Sequence, residues 1–64
     1  MAEISKREIE ILRLVSLGLP TKDIAIQLHV SEETIKSHRK HLLKKLSAKN
    51  SANLIKEAFS RDLI

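Results

Sequence analysis

The amino-acid sequence predicts an all-α fold, a bundle-like domain of four helices at about residues 6–17, 22–29, 32–47 and 52–60. Three observations predict it. Apolar residues recur three and four positions apart in four separate stretches. Residues suited to capping stand just before each stretch. With one Gly, one Pro and no segment of period two, the chain lacks the turn chemistry and pattern of a β fold.

The first helix opens at Ser5, with Glu8 three residues later to complete a capping box, and Ile4 and Ile9 placed for a hydrophobic staple. Ile11, Leu12 and Val15 form its inner face, and Gly18 ends it in the left-handed backbone that glycine adopts without penalty. Pro20 biases Leu19 toward extended geometry. Thr21 is the expected cap of the second helix, with Asp23 at the positive end of the dipole and Ile24, Ala25 and Leu28 inward. Ser31 caps the third, whose first turn carries Glu32 and Glu33 and whose core positions are Ile35, Leu42 and Leu46. The fourth starts after Ser51 and carries Leu54, Ile55, Ala58 and Phe59 as an apolar stripe, with Phe59 expected in the core. The ends, residues 1–3 and 62–64, are expected to fray.

Only His29, Val30 and Ser31 separate the second helix from the third, so the two must meet at a steep angle. Ala25 is small enough for close approach, Val30 can plug the core, and Ile35 returns to it one turn later. That spacing is that of a helix-turn-helix.

Charge singles out the helix after the turn. The chain carries 12 Lys and Arg against 8 Asp and Glu, a net +4. The segment from Lys36 to Lys49 holds six bases (Lys36, Arg39, Lys40, Lys44, Lys45 and Lys49) and no acid, whereas the rest of the chain holds six bases and eight acids. Such a stripe is either a solvated helix face or the footprint of a polyanion binder. Projected at about 100° per residue, Glu33, Lys36, Ser37, Lys40, His41 and Lys44 fall away from the core, with donors long enough to reach base edges in a major groove. Arg39 leans inward, its stem packed and its guanidinium reaching a phosphate or an internal acid.

These residues resemble the LuxR-type (GerE-like) DNA-binding domain of bacterial response regulators and quorum-sensing regulators. The resemblance runs from Ile4 to Phe59, through Ile4-Ser5-Lys6-Arg7-Glu8-Ile9-Glu10-Ile11-Leu12 and Gly18, Thr21-Lys22-Asp23-Ile24-Ala25, Val30-Ser31-Glu32-Glu33-Thr34-Ile35-Lys36-Ser37-His38-Arg39, Leu43-Lys44-Lys45-Leu46 and Lys49-Asn50. It implies base contacts from Lys36, Ser37 and Lys40, with Glu33, His41 and Lys44 at base or phosphate. It further implies phosphate contacts around Thr21, Lys22, Thr34 and His38, to which the inward-leaning Arg39 is added. It also implies a weak homodimer through the fourth helix, with Leu54, Ile55 and Ala58 divided between core and interface, and makes RNA polymerase a candidate protein partner. Two residues depart from the family pattern: His29 stands where the turn usually has Gly, and Glu33 where a basic or small residue is usual.

Other chemistries fit less well. His38 and His41 share a face, but no third metal ligand stands at suitable spacing, and without Cys there is neither thiolate zinc ligand nor disulfide. No cofactor or small-molecule ligand is expected. A deep catalytic cleft is not expected in 64 residues, which bury only roughly 60% of their unfolded surface. Single-stranded or RNA readers stack bases on aromatic rings, and this chain has one Phe, no Trp and no Tyr. The longest apolar run is three residues, Ile24–Ile26, too short for a membrane span, and the start lacks a secretory pattern, so a soluble cytoplasmic location is expected. The remaining alternatives are a sigma-factor region-four-like module and a protein–protein module docking its basic helix on an acidic partner. A chain of this length reads as one domain over residues 1–64, either stand-alone or the effector part of a larger regulator.

Overall fold

The computed structural model describes residues 3–64. Among them stand four helices: α1 (Lys6–Ser16), α2 (Thr21–Leu28), α3 (Glu32–Lys45) and α4 (Ser51–Ser60). Ile11 and Leu12 of α1, Ile24 and Ala25 of α2, Ile35 and Leu42 of α3, Leu46 just beyond it, and Leu54 and Ala58 of α4 make one buried core. The packing of α2 on α3 is the most extensive of any pair; α1 touches the other three, and α3 also meets α4. Val30, the residue in the α2–α3 turn, packs against that core.

Side-chain caps explain three of the four starts. The Ser5 hydroxyl accepts from the Glu8 N–H at 3.1 Å while the Ser5 N–H donates to Glu8 Oε1 at 3.0 Å, the expected capping box. Ser31 accepts from the Thr34 N–H at 3.1 Å. For α4 the cap is Asn50, accepting from the Asn53 N–H at 2.8 Å, so the helix begins at Ser51 and not after it. Nor does Thr21 cap α2. Pro20 occupies that position without a side-chain hydrogen bond, and Thr21 is already the first helical residue.

All four helices end alike. After α1, Gly18 (φ 84°) donates to the Val15 carbonyl and Leu19 to that of Leu14, which is a Schellman motif. His29 (φ 58°), Ser47 (φ 52°) and Asp62 (φ 57°) repeat the pattern, with Val30 bonding to Ala25, Ala48 to Leu43 and Leu63 to Ala58. Each pair that closes a motif is apolar, as the Schellman geometry favours. The left-handed residue at 47 stops α3 two residues before the predicted end. The motif at 62 folds the C-terminus back, so Leu63 and Ile64 pack on the core instead of fraying. Residues 1 and 2 of the other expected frayed end lie outside the described residues.

Phe59 corrects an expectation: it is 67% exposed. Leu54 and Ala58 aim α4 at the core, which leaves Ile55 half-buried at its flank and turns Phe59 outward.

Candidate nucleic-acid interface

The interface grows from the way α3 is held. Ile35, Leu42 and Leu46 bury one side completely or nearly so. Glu33, Lys36, Ser37, Lys40, His41 and Lys44 are all exposed, and by helical geometry they form the opposite side. Among the described residues, the Lys40 and Lys44 ammonium groups have no hydrogen bond or ion pair. Glu33 and Lys36, one turn apart, approach to 3.8 Å with side chains 86% and 62% exposed. Lys22 is exposed at the start of α2, while Thr21, Thr34 and His38 are half-buried. The Thr34 hydroxyl lies 2.9 Å from that of Ser31.

Two of the six clustered bases are drawn inward. Arg39 donates through Nη1 to the Thr21 hydroxyl at 3.0 Å and through Nη2 to the Ser51 hydroxyl. Its inward lean is as expected, but its partners are hydroxyls at the first residues of two helices, not an acid. It bridges the starts of α2 and α4, whose backbones do not approach each other closely. Lys45 is the second. Its ammonium donates to both carboxylate oxygens of Glu8, at 2.8 and 3.0 Å, and to the Glu3 carbonyl at 3.1 Å.

Sequence reasoning read Glu8 as a capping residue and missed this second role. The signal was present: Glu8 lies three and four residues before Ile11 and Leu12, on the core side of α1, where a carboxylate requires a buried partner. Burial pushes its pKa up, but the hydrogen bonds from Lys45 and from the Ser5 backbone and hydroxyl outweigh that, and the carboxyl sits below its ordinary value.

The candidate dimer residues divide. Leu54 and Ala58 are wholly buried and cannot meet a partner without unfolding α4. Ile55 is half-buried beside exposed Phe59, four residues on.

Comparison with known proteins places this geometry. Residues 2–58 match the family described as "Bacterial regulatory proteins, luxR family". The chain is 41% identical over 61 residues to the oxygen regulatory protein NreC of Staphylococcus epidermidis, covering 95% of this chain and 28% of that protein. Against the protein of the same name from Staphylococcus carnosus it is 39% identical over the same length and share. It thus spans a little over a quarter of these curated relatives. Among solved structures, the crystal structure of the response regulator ChrA of a heme-sensing two-component system superposes with a TM-score of 0.96 at 38% identity, over 100% of this chain and 32% of that one. The four helices, the short α2–α3 joint and the match over residues 2–58 show that this chain belongs to the luxR family of bacterial regulatory proteins, as a helix-turn-helix domain similar to those of response regulators.

Proposed function

We propose that the chain reads duplex DNA by laying α3 along the major groove, as the output domain of a two-component response regulator acting in the cytoplasm. The observation that carries this reading is the exposed side of α3, three lysines long and opposite a fully buried apolar side. Lys36, Ser37 and Lys40 reach base edges, where ammonium groups donate to guanine O6 and N7. Glu33, His41 and Lys44 meet bases or phosphates, and Thr21, Lys22, Thr34 and His38 meet phosphates on the flanks. Arg39 approaches a phosphate only with whatever donor capacity its two hydroxyl partners leave, so its first role is to hold the frame.

A homodimer through Ile55 and Phe59 is supported by their shared row on α4. Two side chains make a small contact, so the dimer is weak without DNA. RNA polymerase is a further protein partner in this reading, and no chemical step is assigned to the domain.

The test is titration with a selected duplex and with random duplex at stated salt. Lys40→Ala is expected to cost about 1–3 kcal/mol on the selected site and less on random DNA. Equal losses on both reduce Lys40 to a phosphate contact, and absence of any duplex binding overturns the reading.

A further inference from the structure

Glu33 is a carboxylate on a surface that otherwise presents lysines to a polyanion. On any duplex it weakens Coulombic attraction, both by its own charge and by partly neutralising Lys36 at 3.8 Å. Its place in the first turn of α3 suits the helix dipole, and at the groove a group with that general cost adds specificity where it gains something from one sequence and not another.

The geometry points to Glu33 and Lys36 acting as one unit that reads a single C·G base pair, Glu33 accepting from the cytosine amino group and Lys36 donating to the guanine on the opposite strand. This rests on the groove-reading role of α3 and adds a specificity-determining residue to it.

Four observations carry it. Glu33 is the second residue of α3, and helices of this motif bring their N-terminal residues to base edges. Three residues of helix rise about 4.5 Å, close to the roughly 3.4 Å between stacked bases, so both side chains address the same or adjacent levels of the duplex. A carboxylate can only accept and an ammonium can only donate, so together they require a donor beside an acceptor. In the major groove a C·G pair offers the cytosine N4 amino group next to guanine O6 and N7. N4 and O6 are themselves hydrogen-bonded across the pair at about 2.9 Å. A carboxylate oxygen and an ammonium already 3.8 Å apart lie within about an ångström of that spacing, and both side chains are exposed and free to adjust. An A·T pair also places a donor by an acceptor, but it puts the thymine methyl where the guanine offers N7, so the ammonium loses one acceptor.

Glu33 is 86% exposed in its side chain, so substitutions leave the fold intact. The experiment selects bound duplexes from a random pool with wild type, Glu33→Ala and Glu33→Gln at one stated salt concentration. Affinities are then measured on the wild-type site and on the same site with the assigned C·G pair changed to A·T. For wild type the change is expected to cost about tenfold or more; for Glu33→Ala that penalty falls at least about fivefold, while affinity for random duplex rises. Glu33→Gln is expected to accept A·T, because an amide pairs with adenine N6 and N7. Identical base preferences at every position in all three proteins overturn the inference and leave sequence-specific binding standing. A wild-type selection that yields no motif overturns that reading as well.

Discussion

At position 29 an imidazole-bearing residue adopts φ 58° and ψ 43°, a conformation that non-glycine residues enter only at a cost. Its carbonyl-closing neighbours are in place, so the backbone does not need the side chain. His29→Gly is expected to raise stability by about 0.5–1 kcal/mol, visible as a higher Tm; an unchanged or lower Tm contradicts it. The resemblance to the LuxR-type pattern, in which Gly usually holds this place, pointed to the strain before the backbone angles did. For Glu8 the need for a partner was legible from its core-side place on α1, but the partner was not, because Lys45 is 37 residues away and only the packing of α3 on α1 brings them together. The folded carboxyl titrates below its ordinary value of 4.5, so the charged form stabilises the fold. That contribution is fully present above about pH 5 and is lost as pH falls through 4.5 toward the lower folded value. Thermal melts between pH 7 and pH 3 should show Tm falling over that window, and Glu8→Gln should flatten this part of the profile while lowering Tm at pH 7. A wild-type and variant pair with parallel profiles excludes Glu8 as the source.

Helix starts proved easier to read than helix sides. Caps are local, set by a hydroxyl or amide and an N–H three residues on, and Ser5 and Ser31 act as their positions indicate. The side that faces inward depends on the rest of the molecule. In α4, Leu54 with Ala58 and Ile55 with Phe59 form two equally apolar rows four residues apart, rotated by about 100° from one another, and helical spacing has no means to choose between them. Burial of the smaller pair decides it: Leu54 and Ala58 are fully buried. Leu54→Ala is therefore expected to cost about 2–4 kcal/mol in denaturant melts, whereas Phe59→Ala costs less than about 1 kcal/mol. A reversal of that order would place the aromatic ring in the interior.

For the molecule as a whole, the sequence reported the charge asymmetry correctly and the inward lean of Arg39 with it, but overstated the exposed part, since Lys45 also turns inward. The projection of one helix could not reveal the partners, because Glu8, Thr21 and Ser51 all belong to other helices. The exposed remainder governs salt dependence. Lys22→Ala is expected to weaken all duplexes alike and to reduce the slope of log affinity against log salt by about one. A loss confined to a single sequence would instead make Lys22 a base contact.

The forked guanidinium of Arg39 also determines how the domain comes apart. It joins the starts of two helices whose backbones do not come close, so neither the start of α2 nor that of α4 can open without releasing the same side chain. Amide protons in both segments should then exchange with deuterium at matched rates. Substitution by lysine, with a single prong, would let one segment breathe ahead of the other.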